Sequence, residues 1–159
     1  MKHLSPEIIV KIDKVLAKFP ADQKQSAVIS TLMLLQKQNN GWLTKHLMDL
    51  VADYLDMPQI AVYEVASFYS MFELKPVGKH KICVCTNISC MLRGSEQIVE
   101  HLRKKLCIDF NQTTADGKFT LQAVECLAAC GGAPMMQIGD CYHENLTVEK
   151  IDKILGGLE

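Results

Sequence analysis

The stretch KICVCTNISC (residues 81–90) joins a strand pattern to a pair of cysteines, and CLAAC (residues 126–130) supplies a second pair. Cys85 and Cys90 have the spacing C-x4-C, and Cys126 and Cys130 have the spacing C-x3-C. Four thiolates complete the coordination of a zinc ion or of an iron–sulfur cluster. The sequence therefore predicts that these four cysteines are metal ligands.

The order of elements around the cysteines explains how two distant pairs meet. Residues 81–85 predict a strand, Ser95 to Leu106 a helix and residues 118–124 a second strand. A strand–helix–strand unit gives two parallel strands whose carboxyl ends lie at one edge of the sheet. If the two strands are neighbours, the loops that follow them bring all four sulfurs to that edge.

The remaining elements define the fold class. Residues 135–138 and 141–143 predict a hairpin, and Thr147 caps a final helix, which gives the order β-α-β-β-β-α for residues 75–159. Residues 1–74 predict a small bundle of four helices at residues 5–19, 23–38, 44–55 and 58–72. The fold is thus expected to be α+β or α/β, with a linker at residues 74–78.

The aromatic run in VYEVASFYSMF (residues 62–72) has two interpretations. Tyr63, Phe68, Tyr69, Met71 and Phe72 fit a stripe that binds a partner. Most of them fit better as the core between the fourth helix and its neighbours.

The net charge and the hydropathy of the chain give no reason to expect certain classes of partner. The 159-residue chain has a net charge of −1, which gives no reason to expect nucleic acid or an anionic membrane as a partner. No apolar run reaches the length of a membrane span, and MKHLSPEIIV is a poor signal peptide. The expected compartment is the bacterial cytoplasm. In a reducing compartment, seven cysteines indicate metal binding or catalysis rather than disulfides.

Spacing alone leaves zinc and a [2Fe–2S] cluster open. Zinc with four thiolates is a closed structural site without a redox role. Gly131 and Gly132 favour the cluster, because small residues let backbone N–H groups approach its sulfurs.

The other cysteines have simpler roles: Cys83 is expected to be a buried strand residue, Cys107 a packed small side chain and Cys141 an exposed residue of the hairpin.

CTNISCMLRGS (85–95), DGKFTLQAVECLAACGGAPMMQI (116–138) and LTVEKIDKIL (146–155) resemble the 24-kDa, or E-type, subunit family of NADH:quinone oxidoreductase, respiratory complex I. In the first half, GWL (41–43) and VYEVASFYSMF are similar to the helical segment of that family. The resemblance implies a helical bundle followed by a thioredoxin-like domain with one [2Fe–2S] cluster. It implies Cys85, Cys90, Cys126 and Cys130 as ligands, one pair for each iron.

The same resemblance implies partners. These are the subunit that binds FMN and NADH and the neighbouring iron–sulfur subunits, in a ubiquinone-reducing translocase on the cytoplasmic side of the bacterial inner membrane. The chain has neither G-x-G-x-x-G after a strand nor a Walker loop, so no catalytic site is expected in it. Alternatives are the small diaphorase subunit of an NAD-linked hydrogenase or formate dehydrogenase, and a structural zinc module in an interaction protein.

Two features of the second cysteine loop qualify the resemblance. The family usually has glycine where this chain has Ala128, and we expect the position to tolerate a methyl group. Pro134 follows Ala133 where thioredoxin-like folds place a cis-proline, and both isomers of the peptide bond are compatible with the sequence.

Overall fold

The computed structural model describes residues 4–158, which form two compact units. The first unit ends at Pro76 and the second begins at Val77, within the segment in which the sequence predicts a linker. Among the described residues, no helix combines the length and the apolar character needed to cross a bilayer.

The first unit is built from four helices of ten or eleven residues: α1 Pro6–Leu16, α2 Val28–Gln38, α3 Lys45–Leu55 and α4 Gln59–Phe68. Ser5 caps α1, since its hydroxyl accepts the N–H of Ile8 at 3.4 Å. Thr44 caps α3 in the same way, through the N–H of Leu47 at 3.1 Å. Both caps and the predicted helical half are confirmed. Apolar side chains from all four helices form one core, including Ile12, Leu32, Leu35, Val51, Leu55 and Val62.

Helix α4 is shorter than the sequence predicts. It ends at Phe68, because backbone groups of the following residues form hydrogen bonds with other parts of the first unit in place of helical ones. The Gln36 amide donates to the carbonyl of Met71 at 3.0 Å and accepts the N–H of Glu73 at 2.8 Å. The N–H of Leu43 donates to the carbonyl of Glu73 at 2.7 Å.

The early end of α4 also changes the fate of its aromatic run. Phe72 is buried and Tyr63 packs against the core, as expected. Phe68 is 80% exposed, and Tyr69 and Met71 are exposed as well. The assignment of most of this run to the core is therefore wrong for these three residues.

The second unit follows the predicted order β-α-β-β-β-α, with two short additions. Its elements are β1 His80–Cys85, α5 Ile88–Leu92, α6 Ser95–Leu106, β2 Gln112–Thr113, β3 Phe119–Val124, β4 Met136–Ile138, β5 Cys141–His143 and α7 Val148–Gly156. The additions are α5, a helical turn inside the first cysteine loop, and β2, a two-residue edge strand.

The five strands form one mixed sheet in the order β2-β3-β1-β4-β5. Strands β1 and β3 are parallel neighbours, and their last residues, Cys85 and Val124, are partners. The other three pairings are antiparallel. The expected adjacency of the two parallel strands is confirmed, so the loops after both begin at one edge.

Helices α6 and α7 pack on one face of this sheet. The core between them includes Ile82, Val84, Leu102, Leu121, Met136 and Ile151. Because side chains alternate along a strand, the opposite face of β1 carries Cys83 and Cys85. The edge of the sheet at which β1 and β3 end, and from which the cysteine loops begin, therefore belongs to a sheet that is packed against two helices.

Candidate metal centre

The first cysteine pair is buried at the end of β1. Cys85 is the last residue of the strand, and Cys90 lies in α5 with 1% of its surface exposed. Helix α5 begins where the Asn87 side chain accepts the N–H of Ile88 at 2.7 Å. This turn carries Cys90 back toward the strand.

The second pair lies in the loop after β3, and both of its side chains are exposed. The Sγ of Cys126 accepts the backbone N–H of Ala128 at 3.2 Å. Cys130 begins a 3-10 turn that runs to Gly132, in which the N–H of Gly132 donates to the carbonyl of Ala129 at 3.0 Å. Each sulfur is therefore presented from a tightly turned backbone.

Members of the two pairs lie close enough to influence one another. Burial raises the pKa of the Cys90 thiol, and a hydrogen bond with Cys85 raises it further, as do the charges of Cys85 and Cys130. A backbone hydrogen bond with Met135 acts in the opposite direction. Cys90 packs with Cys85, and the Cys85 thiol donates to the backbone carbonyl of Glu125, the residue before Cys126, at 3.8 Å.

Apolar residues surround the buried pair. Cys85 and Cys90 form a small cluster with Ala133 and Met135, against which Leu127 and Ala129 pack. The N–H of Cys85 donates to the carbonyl of Met135 at 3.2 Å. The Ala133–Pro134 peptide bond is cis. The segment that follows the second pair is therefore packed directly against the first pair.

The donor set fits a [2Fe–2S] cluster. Such a cluster takes its four thiolates as two pairs on two irons, so the four sulfurs need not converge on one point. In the described part of the chain, no three Cys, His, Asp or Glu side chains form a group close enough to hold a single metal ion. The loops offer two pairs at one edge, a backbone N–H directed at a sulfur and an apolar surround.

The three remaining cysteines lie elsewhere. Cys83 is buried, as expected, and its thiol donates to the side-chain carbonyl of Gln122 at 3.7 Å. Cys141 is exposed on β5. Cys107, expected to be packed, is exposed instead, because it ends α6 in a left-handed conformation with a φ of 54°.

Ala128 also has a left-handed backbone, with a φ of 57°. This conformation costs a residue with a Cβ roughly 1–2 kcal/mol, and glycine avoids that cost. The chain tolerates the methyl group, but with backbone strain in the loop that joins Cys126 to Cys130.

We expect Ala128→Gly to raise the free energy of unfolding of the metal-free chain by about 0.5–1 kcal/mol, since relief of strain exceeds the added entropy of the unfolded chain. Ala129→Gly is the matched control. Its φ of −124° carries no left-handed strain and its methyl group packs against the buried pair, so glycine there should destabilise the chain. The single tryptophan, Trp42, lies in the first unit, so unfolding of the second is best followed by urea-dependent labelling of its three buried thiols, Cys83, Cys85 and Cys90. Equal effects of the two substitutions would contradict the strain.

One neighbour of the cysteine loops gave no signal in the sequence. Glu144, which follows β5, lies against Gly132: a Cβ built on Gly132 would be 2.5 Å from the carboxyl carbon of Glu144. The two residues come together only because β5 and the second cysteine loop meet in the fold. No sequence-spacing rule relates Gly132 to Glu144, because the two residues belong to different segments of the fold.

The chain is similar to known proteins over most of its length. Residues 12–159 match the family model of thioredoxin-like [2Fe-2S] ferredoxins. The chain is 48% identical to the E subunit of NADH-quinone oxidoreductase from Rickettsia conorii, over 92% of this chain and 88% of the relative. The corresponding E subunit from Rickettsia bellii is 47% identical over 92% of this chain and 87% of its own length.

Two further similarities cover only part of the other protein. The mitochondrial NADH dehydrogenase [ubiquinone] flavoprotein 2 of Dictyostelium discoideum is 48% identical over 89% of this chain and 57% of its own length. A crystal structure of NAD+-reducing [NiFe]-hydrogenase in the H2-reduced state superposes with a TM-score of 0.70 and 20% identity, over 80% of this chain and 22% of that chain. At that identity the second similarity concerns the fold alone.

Proposed function

This chain belongs to the thioredoxin-like [2Fe-2S] ferredoxin family, and we propose that it is the electron-transfer subunit of a bacterial NADH:quinone oxidoreductase, respiratory complex I. The relatives that are named as E subunits of that enzyme support this proposal, since they match over 84% and 88% of their own length. In this role the chain is a component of an oxidoreductase, and the catalytic site belongs to a partner.

The observation that carries the proposal is the meeting of two cysteine loops at one edge of the sheet. Cys85 ends β1 and Cys90 lies in the loop after it, and Leu127 and Ala129, from the loop after the parallel strand β3, pack against this pair. Together with Cys126 they supply the four thiolates of a [2Fe–2S] cluster. When bound, such a cluster accepts and releases one electron.

The residues of the chain divide the work of holding the cluster. Cys85 and Cys90 hold their side of the cluster from a buried, apolar position. Cys126 and Cys130 hold the other side at the surface, where an electron can enter from a partner. The N–H of Ala128 donates a hydrogen bond to the sulfur of Cys126 and so helps to orient it.

The partners that we propose follow from the relatives. They are the subunit that binds FMN and NADH and the neighbouring iron–sulfur subunits, with the complex peripheral on the cytoplasmic side of the inner membrane. The relatives are subunits of NADH-quinone oxidoreductase, which supports such an assembly. Co-purification with the flavin subunit tests this proposal, whereas recovery with hydrogenase or formate dehydrogenase subunits would favour the diaphorase alternative.

Metal analysis tests the cluster itself. The chain is reconstituted anaerobically with iron and sulfide, and with zinc in a parallel sample. The proposal expects the visible absorption of a [2Fe–2S] cluster, two irons and two sulfides per chain, and an EPR signal after reduction. A colourless protein that retains stoichiometric zinc in the presence of iron and sulfide would overturn the proposal in favour of a structural zinc site.

A further inference from the structure

The connection between β5 and α7 is hydrogen-bonded to the end of the second cysteine loop and to the residues that follow it. The N–H of Asn145 donates to the carbonyl of Gly132 at 2.6 Å, and the N–H of Leu146 donates to the carbonyl of Pro134 at 3.0 Å. Leu146 is buried in the core with α6 and α7. These bonds fix the backbone that carries Glu144, the residue immediately before them.

The Glu144 side chain lies over this loop. The position that a Cβ on Gly132 would occupy is 2.5 Å from the carboxyl carbon of Glu144 and 2.6 Å from its Cβ. The carboxylate therefore fills the space that the missing side chain of Gly132 leaves open. A glycine is needed there to admit it.

This contact places a negative charge beside a proposed cluster ligand. Cys130 is two residues from Gly132 in the same 3-10 turn, so their Cα atoms are within about 7.6 Å. Because the Glu144 carboxylate lies against Gly132, its distance from the Cys130 backbone is of the order of the Debye length, about 8 Å at physiological ionic strength. A negative charge at this range disfavours the addition of an electron to the site.

The neighbouring positive charge is that of Lys150. The Lys150 ammonium donates to the backbone carbonyl of Glu144. Burial, followed by the charge of Lys150, lowers the pKa of His143, so its imidazole is neutral at pH 7.5. Loss of the Glu144 charge removes a negative charge and keeps the positive charge of Lys150, so the reduction potential is expected to rise.

We propose that Glu144 is a positioning residue of the cluster site, which holds a carboxylate over the Cys130–Gly132 turn and thereby lowers the reduction potential of the cluster. The inference rests on the proposed function, because it requires a [2Fe–2S] cluster on the four cysteines. It adds a residue outside both cysteine loops to that site.

The test is a redox titration of the reconstituted full chain, followed by EPR at pH 7.5. Glu144→Gln keeps the size of the side chain and removes its charge. We expect full iron and sulfide content and a midpoint potential shifted to more positive values. The shift should shrink as salt is raised, because mobile ions screen an exposed carboxylate. A purely structural role would not produce that salt dependence.

Asp116→Asn is the matched control, since it removes the same charge and an Asn oxygen can still accept the N–H of Lys118. Asp116 precedes β3, whose six residues separate it from the cysteine edge by about 17 Å. Its midpoint potential should equal that of the wild type. An unchanged potential in a fully loaded Glu144→Gln protein would overturn this inference alone, as would cluster loss in that variant or an equal shift in the control. A wild-type chain that forms no [2Fe–2S] cluster would overturn the proposed function as well.

Discussion

Replacement of Cys126 with serine is expected to abolish the [2Fe–2S] spectrum of the reconstituted chain. A hydroxyl is a harder and much less acidic ligand than a thiol, so it replaces a thiolate on iron poorly. The loss should exceed the roughly 10–100-fold change in metal affinity typical when a residue behind a ligand is altered. Visible absorption, EPR and iron content measure it.

Cys126 is the most informative of the four cysteines to replace, because it is exposed. Serine at position 90 would instead place a hydroxyl in a site that is 1% exposed and lined by apolar side chains, which costs stability for reasons unrelated to metal. For Cys126→Ser, we therefore expect cluster loss with an unchanged urea-unfolding curve of the metal-free chain.

Cys107→Ser is the matched control, since Cys107 is equally a surface thiol but lies at the end of α6. Its cluster content should be that of the wild type. Normal cluster content in the Cys126→Ser protein would contradict the ligand assignment. A loss in both variants would mean that the cluster is sensitive to any surface thiol, which the proposed site does not allow.

The convergence of the two cysteine loops could be predicted because it depends on topology rather than on detail. A parallel strand–helix–strand unit leaves little freedom in where its strands end, and the pairing of Cys85 with Val124 follows that rule. The helix Ser95–Leu106 and the hairpin strand Cys141–His143 also have the bounds that their local patterns predict. Local signals and topology agree at these places.

The errors share a different cause, which is competition from tertiary contacts. The apolar pattern of residues 58–72 predicts a helix up to residue 72. Hydrogen bonds with Gln36 and Leu43 instead hold the segment after Phe68 in a non-helical conformation. A cysteine after an amphipathic helix is expected to be packed, but the left-handed backbone of Cys107 directs its side chain to the surface. Contacts between distant residues are not encoded in any window of sequence, so no local pattern could have given them.

The glycine pair Gly131-Gly132 shows the same limit. Sequence reasoning treats both as small residues that let N–H groups approach cluster sulfurs. In the structure a Cβ on Gly131 would meet no atom within 4 Å, whereas one on Gly132 would overlap Glu144. Gly132→Ala is therefore expected to destabilise the metal-free chain by about 1–3 kcal/mol, the usual cost of overpacking.

The same substitution should also lower cluster content, because Gly132 belongs to the turn that begins with Cys130 and accepts the N–H of Asn145. The side chain of Glu144 cannot simply swing aside, since its Cβ is itself only 2.6 Å from the new methyl group. The backbone must move, and it carries a proposed ligand. Iron content after reconstitution and urea-dependent labelling of the buried thiols of the metal-free chain measure the two effects separately.

Gly131→Ala is the control, and we expect it to retain the stability and cluster content of the wild type within about 0.5 kcal/mol, the range typical of surface substitutions. Glu144→Gly removes the three side-chain atoms that the new methyl group would meet, so Gly132→Ala combined with it should recover part of the loss. Such coupling is expected only for residues in contact. Equal effects of alanine at positions 131 and 132, or additive effects in the double variant, would show that Glu144 does not determine the requirement for glycine at position 132.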